Sequence, residues 1–436
     1  MLRWILWPIP FLEGCRRRYG DVFMVRFVIG DIVFVTDPEL IKTIFRGDPD
    51  ALHAGEANAA PLESLMGRNS VLLLDGPEHM RQRKLMLPSF HGDRMSRYGD
   101  LIREITETEI ERWPVGEPFA LRPRTQAITL EVIMRAVFGI EDAERLDHLR
   151  DRINRLLDIG NSRLALAAIA LPVVRNTLGK RTWARFERLR ADVDEMLYDE
   201  IARRREDPTT PERDDVLSIL LQARDEEGNA MTDVELRDEL VTLLAAGHET
   251  TATALAWAFD LLLHNPGSLE RLQAEIADGS SDEYLGAVIE ETLRVRPVVP
   301  GVMRKLKAPF QLDGYELQPG MRVAPNIYLT HRRSDVYPDP EAFRPARFLE
   351  QPTETYSWIP FGGGIRRCLG ASFAIFEMKV AITTVLKRLE LRAAQREPDR
   401  IRRRAITFAP ERDAMVVVER RRERPATLPE DARAAV

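Results

Sequence analysis

One unbroken helical pattern, residues 232–264, constrains the fold more than any other feature of this chain. A capping box that runs from Thr232 to Glu235 begins the pattern, and Asn265-Pro266 ends it because proline cannot continue a helix. At about 1.5 Å per residue, the predicted helix is about 50 Å long. We therefore expect one long helix that crosses the whole molecule.

Shorter patterns place helices before and after this one, and strands towards both ends of the chain. Apolar residues recur at helical spacing in 77–90, 94–113, 124–138, 142–160, 183–205, 215–226 and 268–296. Strand patterns occur at 21–27 and 31–36, at 309–317 around Asp313-Gly314, and at 404–418 around residues 410–413. The predicted fold class is α+β, mainly α with small β sheets on one side.

The chain has no obvious internal boundary. No Gly/Ser linker, low-complexity tract or repeat interrupts residues 15–418, so residues 1–419 are predicted to form a single domain. Residues 420–436 are charged and carry prolines, and this tail is predicted to be disordered.

Charge and cysteine content exclude several classes of protein. The 63 Lys and Arg against 69 Asp and Glu give a formal net charge of −6, with no isolated basic block, which argues against a nucleic-acid partner. The two cysteines, Cys15 and Cys368, are too few for a disulfide framework or a four-thiolate metal site. A reducing, cytoplasmic environment is expected, and Cys15 receives no role.

The first twelve residues, MLRWILWPIPFL, are apolar and aromatic. About 20 apolar residues are needed to span a bilayer, and Pro8 and Pro10 interrupt this short segment, so no transmembrane span is predicted. No small-residue cleavage site follows, which argues against a secretory signal. The segment is expected to pack on the domain surface. The alternative is a shallow membrane anchor through Trp4, Trp7 and Phe11.

The segment with the most candidate functional residues is Phe361-Gly-Gly-Gly-Ile-Arg-Arg-Cys-Leu-Gly370, which precedes a helical pattern. Three consecutive glycines allow a sharp turn and a close approach to a flat ligand. Cys368 falls at the predicted helix N-terminus, where backbone N–H groups favour the metal-binding thiolate. A lone cysteine is more often a small buried apolar residue, but the glycine loop and the neighbouring Arg366 favour a ligand.

This segment resembles the haem-thiolate loop Phe-x-x-Gly-x-Arg-x-Cys-x-Gly of the cytochrome P450 superfamily, bacterial type. Phe361, Gly364, Arg366, Cys368 and Gly370 match every fixed position. The resemblance implies the cytochrome P450 fold, with haem b (iron protoporphyrin IX) between the long helix and the cysteine loop. It makes Cys368 the axial iron ligand, Phe361 the ring beside the sulfur and Arg366 a propionate partner. Thiolate ligation favours O–O cleavage.

The middle of the long helix carries Ala246-Gly-His-Glu-Thr-Thr251. Glycine and two threonines in the middle of a helix predict a local bulge or kink. The segment resembles the family's acid–alcohol motif, which implies that Glu249 and Thr250 deliver protons to dioxygen and that Gly247 opens space beside the haem. The alternative is structural: Thr250 bonds a helix carbonyl, and Glu249 forms a buried salt bridge.

Two further groups of charged residues resemble family features. Glu291 and Arg294, with Arg347 from Pro345-Ala-Arg-Phe348, resemble the structural triad that holds the ligand loop. His79 and Arg83 resemble the His-x-x-x-Arg pair that reaches haem propionates, and Arg304 resembles another such contact. For each propionate candidate the alternative is a solvated surface charge.

The resemblance implies a monooxygenase, an oxidoreductase that acts on paired donors with incorporation of molecular oxygen. One atom of dioxygen enters a mostly apolar organic substrate such as a fatty acid, terpenoid or steroid. The predicted pocket residues are Leu243, Ala246, the segment 298–302 with Val298 and Val302, and residues 408–412, although core packing would use the same residue types.

No flavin, ferredoxin or nucleotide-binding motif occurs in the sequence. Electrons are therefore expected from a separate ferredoxin or flavodoxin with its reductase, docked near Cys368, with Arg367 as a candidate contact. Two other functions stay open. One is a haem-thiolate binding or sensor protein without turnover, which would need no proton relay. The other is a peroxide-driven or isomerising member of the same fold.

Overall fold

The computed structural model describes residues 7–422 except 28–29, 91–93, 141, 161–176, 178 and 352–353. In chain order its α-helices are α1 (Pro8–Tyr19), α2 (Pro38–Arg46), α3 (Ala54–Met66), α4 (Gly76–Met86), α5 (Arg94–Ile110), α6 (Leu121–Ile133), α7 (Ala143–Gly160), α8 (Lys180–Glu206), α9 (Val216–Gln222), α10 (Asp233–Leu263), α11 (Pro266–Asp278), α12 (Glu283–Val295), α13 (Ile327–Thr330), α14 (Arg347–Glu350) and α15 (Ala371–Arg388). A π-helical turn, Met134–Phe138, extends α6.

The strands form small sheets. They are β1 (Val22–Phe27), β2 (Gly30–Val35), β3 (Leu52–His53), β4 (Pro118–Ala120), β5 (Arg304–Leu306), β6 (Phe310–Leu312), β7 (Tyr315–Leu317), β8 (Arg322–Pro325), β9 (Leu389–Ala393), β10 (Ile401–Arg404), β11 (Thr407–Pro410) and β12 (Met415–Arg421). The largest sheet has the order β1-β2-β8-β5-β3, and a three-stranded sheet has the order β4-β12-β9. The pairs β6-β7 and β10-β11 are separate antiparallel hairpins.

Helix α10 lies in the interior and joins two apolar clusters. One cluster contains Phe259 of α10 with side chains of α5, α12 and α15, and the other contains Leu240 of α10 with side chains of α7, α8 and α9. Helix α6 packs along α10, and the Thr125 and Thr129 hydroxyls donate to the carbonyls of Ala252 (2.8 Å) and His248 (3.0 Å). Contacts of this kind support the interior of a helix far beyond what intrinsic propensity provides.

The predicted triad forms one buried ion network. Arg294 donates to both oxygens of Glu291 (2.6 and 2.9 Å), and Arg347 donates to the same carboxylate at 3.1 Å. Arg294 also donates to the carbonyls of His331, Pro340 and Ala342, so its charge is fully satisfied. The network ties α12 to the segment that leads into the cysteine loop.

A second buried network fastens the C-terminal turn, residues 410–414, to α10. The N–H groups of Arg412 and Ala414 donate to the Asp399 carboxylate at 2.9 and 3.1 Å. The Asp399 N–H in turn donates to both oxygens of Asp260 on α10, at 3.0 and 3.2 Å. Burial raises the pKa of Asp260 to about 6, because few groups compensate a charge at this depth.

The α+β prediction, the β1-β2 hairpin and the β6-β7 hairpin are confirmed. The strands predicted within 404–418 are also present: β11 pairs with β10, and β12 pairs with β4 and β9. Three predictions of local structure are wrong. The 268–296 pattern is two helices, because Gly279 ends α11 in the left-handed conformation (φ 70°).

The other two errors concern α10 and the C-terminal tail. Helix α10 runs without a bulge through 246–251, held by its contacts with α6. Strand β12 continues to Arg421, beyond the predicted domain end at 419, while residues 423–436 of the predicted tail and residues 1–6 lie outside the described part of the chain. Among the described helices, none combines the length and the apolar character that crossing a bilayer requires.

Replacing Arg294 by Ala is expected to lower the free energy of unfolding by roughly 3–5 kcal/mol, because Glu291 is left as an unpaired buried charge. Haem should also be lost from the purified protein, since the network supports the cysteine loop. Chemical denaturation and haem quantification measure both effects. Arg344→Ala is the control, because the Arg344 side chain is half exposed and pairs with Glu350. Normal haem content in the Arg294 variant would contradict the assignment.

The raised pKa of Asp260 predicts a pH-dependent stability. Between the ordinary Asp pKa near 4 and about 6, the folded protein retains a proton that the unfolded chain has released. The free energy of unfolding should therefore fall as pH rises through this window, by roughly 2–3 kcal/mol at about 1.36 kcal/mol per unit. Asp260→Asn should remove that loss in urea titrations, whereas exposed Asp282→Asn should keep it. Parallel pH curves for the wild type and Asp260→Asn would contradict this prediction.

Candidate functional site

The cysteine loop is shaped by glycines that cannot be replaced. Gly362 and Gly364 have φ values of 68° and 65°, in the left-handed region that favours glycine. A Cβ on Gly364 would lie 2.3 Å from the carbonyl oxygen of Phe45, so α2 supports the loop at a distance that only glycine permits. The Cys368 N–H donates to the Phe361 carbonyl (3.0 Å), and α15 begins three residues after the cysteine.

Cys368 is recessed. Its side chain is accessible, yet the surrounding protein desolvates the thiol, and both properties fit the floor of a cleft. Burial raises the pKa of Cys368, while the Gly370 N–H and the cations Arg83 and Arg367 oppose that rise. The Gly370 N–H thus favours the thiolate, as expected near a helix N-terminus, but burial outweighs its effect on the pKa. Coordination to a metal ion would favour the thiolate, because it deprotonates a thiol outright.

Three basic side chains face the same region, and none of them forms an ion pair with a carboxylate among the described residues. Asp75 offsets only part of the Arg304 charge, and the Nδ1 atom of His79, a residue that is 2% exposed, has no hydrogen-bond partner. Burial and the neighbouring Arg366 lower the pKa of Arg304 to about 10. Burial, reinforced by the surrounding arginines, lowers the pKa of His79 to about 3, so this ring is neutral at physiological pH.

Arg366 differs from its neighbours because it already has partners. Its guanidinium donates to the Asp75 carboxylate (2.5 Å) and to the carbonyls of Val71 and Leu74. Asp75 also accepts the N–H groups of Gly55 and Glu56 at the start of α3, both at 2.9 Å. Arg366 thus fixes the loop 71–75 against the cysteine loop, and its predicted propionate contact stays a prediction.

This donor set fits a haem. An accessible thiol can supply one axial sulfur, and the buried Arg304 and half-buried Arg83, which form no carboxylate ion pair among the described residues, suit the two propionate carboxylates. The other buried arginines at sites of comparable depth, such as Arg122, Arg237 and Arg294, each bind a carboxylate. Within the described ranges no three His, Cys, Asp or Glu side chains group together as a metal site, so Cys368 would act without a second protein ligand of these types.

The acid–alcohol pair adopts the arrangement of the structural alternative. The Thr250 hydroxyl donates to the Ala246 carbonyl at 2.7 Å. Both oxygens of Glu249 are bound by α6, one by Arg122 at 2.9 Å and the other by the Gln126 amide. These contacts leave the catalytic assignment of Glu249 and Thr250 a prediction, and they identify Arg122 and Gln126 as the groups that hold the acid.

Gly247 is explained by packing. A Cβ at this position would lie 2.8 Å from Cδ1 of Ile133 on α6, so glycine permits the close approach of two helices. The missing side chain of Gly247 thus accommodates α6, and its expected role in opening space beside the haem stays a prediction.

The predicted pocket residues separate into two groups. Ala246 is exposed although α10 around it is buried, and Leu243 is half-buried, so both are accessible from the cleft. Val302 is also half-buried. Its Cγ1 lies 3.8 Å from the position that a Cβ atom on Gly362 would occupy. Val298, by contrast, is part of the apolar core.

Residues 408–412 were also predicted to face the substrate, and the structure contradicts this at both ends of the segment. Phe408 is fully buried and stacks edge-on against Tyr328 in a separate apolar cluster. The Arg412 side chain lies near Asp399 (3.4 Å). Core packing, the alternative use of such residues, accounts for Phe408 and for Val298.

Sequence reasoning missed Asp75, Arg122 and Phe45. Asp75 carries a local signal, since it precedes Gly76-Pro77 at the start of α4, the usual position of a helix-capping residue. Arg122 and Phe45 carry none. Their partners, Glu249 and Gly364, lie more than 100 residues away in the chain.

Comparison with known proteins agrees with this site. The family model described as Cytochrome P450 matches residues 8–417. Cytochrome P450 135B1 of Mycobacterium tuberculosis is 44% identical over 433 residues, which cover 98% of this chain and 90% of the relative. Cytochrome P450 137 of the same species is 41% identical, over 92% of this chain and 83% of that protein. These names state a family and no substrate.

Solved structures give the same result. The cyanobacterial protein CYP120A1 with bound retinoic acid has a TM-score of 0.83 and 25% identity, and the match covers 95% of each chain. The haem domain of cytochrome P450DA has a TM-score of 0.83 at 22% identity, which bears on the fold alone.

Because Arg304 forms no carboxylate ion pair, replacing it should have two effects of opposite sign, one on haem retention and one on the stability of the haem-free protein. Arg304→Met should accelerate haem loss about tenfold or more, because a charge-assisted contact contributes roughly 1.5–3 kcal/mol. The same change should stabilise the haem-free protein, because a desolvated cation beside Arg366 is removed. Haem transfer to an excess of apomyoglobin and denaturation of the haem-free protein measure the two effects.

The control is the adjacent residue on the same strand. Lys305 pairs with Glu56 at 2.9 Å, so Lys305→Met should leave the haem transfer rate unchanged. Equal haem transfer rates for the Arg304 variant and the wild type would contradict a propionate contact.

Proposed function

The chain belongs to the cytochrome P450 family, whose members are haem-thiolate monooxygenases, and on that basis we propose that it uses haem b to insert one atom of dioxygen into a mostly apolar organic substrate. The observation that carries the proposal is the recessed Cys368 thiol beside buried cations that lack carboxylate partners. When bound, the haem supplies oxygen activation and accepts electrons, and thiolate ligation favours O–O cleavage.

The protein's own residues have three tasks. Cys368 would hold the iron, and Arg83, Arg304 and neutral His79 would bind the propionates. The Glu291–Arg294–Arg347 network supports the segment that leads into the cysteine loop. Each task depends on geometry that exists before substrate arrives, which is how a preorganised site lowers a barrier.

Proton delivery is assigned to Glu249 and Thr250. The Thr250 hydroxyl donates to Ala246 and keeps its oxygen lone pairs free to accept from a water on the cleft side. Glu249 is only partly buried, so its carboxylate can exchange protons with solvent while Arg122 and Gln126 hold it in place. A hydroxyl that orients water next to an exchangeable acid is a working general-acid pair.

The substrate is proposed to be apolar, of the fatty acid, terpenoid or steroid type. Leu243, Ala246 and Val302 are small or aliphatic and accessible from the cleft side. The similar cyanobacterial protein binds retinoic acid, a terpenoid acid, which agrees with this class without identifying the compound.

Electrons are proposed to come from a separate ferredoxin or flavodoxin with its reductase. Arg367 is exposed beside Cys368 and presents a positive charge to such a partner. Both cysteines are free, as expected in the cytoplasm, where we place the reaction.

The test combines spectroscopy with turnover. The reduced, CO-bound protein should show the red-shifted Soret band of thiolate-ligated haem, and Cys368→His should lose it. A spin-state screen of fatty acids, terpenoids and steroids identifies ligands, and turnover uses surrogate ferredoxin and reductase. Product should require oxygen, and Thr250→Ala and Glu249→Gln should each divert electrons to peroxide.

Each alternative gives a distinct result. Substrate binding without product under any donor would indicate a sensor, and product with peroxide alone, independent of Glu249, would indicate a peroxide-driven enzyme. Absence of the red-shifted band in folded, haem-loaded protein would overturn the proposal. Arg367→Glu should slow reduction by the ferredoxin but not by dithionite, and unchanged ferredoxin reduction would remove Arg367 from the docking contact.

A further inference from the structure

Two consecutive residues of the C-terminal turn adopt a conformation that side chains disfavour. Asp413 and Ala414 have φ values of 61° and 54°, in the left-handed region, where a residue with a side chain is strained. Their carbonyls accept the N–H groups of Arg122 (3.0 Å) and Leu121 (3.2 Å) at the start of α6, a helix with no side-chain N-cap. The strained turn therefore serves as the cap of α6.

The side chains extend this cap to the acid of α10. Asp413 Oδ1 accepts from Arg122 Nε at 2.6 Å and from Arg404 at 2.9 Å. Arg122 then donates through Nη1 to Glu249 at 2.9 Å. The Arg122 side chain is 7% exposed, so both ion pairs are shielded from water and far stronger than surface pairs.

The same turn is attached to α10 at a second point. Asp399 accepts the N–H groups of Arg412 and Ala414 and is itself bound to Asp260. Glu249 and Asp260 lie three helical turns apart on α10. A turn held at two such points has little freedom to move relative to Glu249, so its position sets the position of that carboxylate.

We propose that Arg122 and Asp413 are positioning residues for Glu249. The Asp413 carboxylate fixes the Arg122 guanidinium, and the guanidinium holds Glu249 in one orientation against α6, from which the acid exchanges protons with the Thr250 side. The C-terminal turn thereby controls proton delivery without contacting substrate or haem. This inference rests on the proposed catalytic role of Glu249.

The holoenzyme variant Arg122→Gln tests the inference. Product formed per electron pair should fall about threefold or more, peroxide should rise, and the solvent deuterium isotope effect on turnover should increase, since a misplaced acid slows the proton step. The substrate-induced spin shift and the rate of first reduction should stay unchanged. Arg122→Lys should recover part of the loss, and Asp413→Asn should show the same changes in weaker form.

A matched control separates positioning from general stability. Arg237 lies on α10 and not on α6, but its side chain is likewise 7% exposed, and it likewise binds a partly buried acid, Asp194. Arg237→Gln should lower stability to a similar degree and leave the isotope effect and the coupling of electrons to product unchanged. Equal isotope effects in Arg122→Gln and Arg237→Gln would overturn the proposal.

Unfolding equilibria supply a readout independent of activity. Double-mutant cycles should give a coupling factor of about tenfold between Arg122 and Glu249, and between Arg122 and Asp413. Additive effects in both cycles would also overturn the proposal.

If Glu249→Gln itself leaves the coupling of electrons to product and the solvent isotope effect unchanged, the proposed role of Glu249 fails. If Glu249→Gln changes them and Arg122→Gln does not, only the present inference fails.

Discussion

The burial of α10 imposes a condition on the whole structure, because every acid in its interior must be compensated. Beyond its first turn the helix carries Asp238, Glu239, Glu249 and Asp260. Asp238 and Glu239 accept from the loop after α3, Glu249 accepts from the N-terminus of α6, and Asp260 accepts from Asp399, which itself binds the C-terminal turn. A buried charge without such a partner costs several kcal/mol, so these contacts fix where the surrounding elements can lie.

At the cysteine site, the protein does not meet the condition that desolvated charges have partners. Elsewhere, buried arginines such as Arg294 and Arg237 bind carboxylates. In the cysteine site, Arg83 and Arg304 form no such ion pair among the described residues, and repulsion from Arg367 and Arg366, respectively, adds to their desolvation. Proteins place such desolvated charges without ion-pair partners mainly at functional sites. The folded chain tolerates them because the triad, the α2 contact and the loop 71–75 hold the site from three sides.

Much of the fold could be predicted from the sequence, but unevenly. The long helix and the two tight hairpins follow from periodicity, caps and glycine turns, which depend only on neighbouring residues. The break at Gly279 was missed, although glycine was visible, because helical spacing continued on both sides of it. The predicted bulge at 246–251 is absent, because α6 supports the weak helix formers through Thr125 and Thr129. At these residues, packing against α6 outweighs their low intrinsic helix propensity.

The sequence alone was enough to predict a ligand cysteine, the glycine loop, the triad and an acid–alcohol pair, since each has a fixed spacing within a short segment or matches one. Only the tertiary structure decided their surroundings. It matched Arg122 with Glu249 and Arg366 with Asp75, and it packed Gly247 against Ile133. Contacts between residues more than 100 positions apart leave no periodic trace in the chain. Such contacts form when helices pack and buried charges pair with the nearest available partner. The fold as a whole therefore determines them.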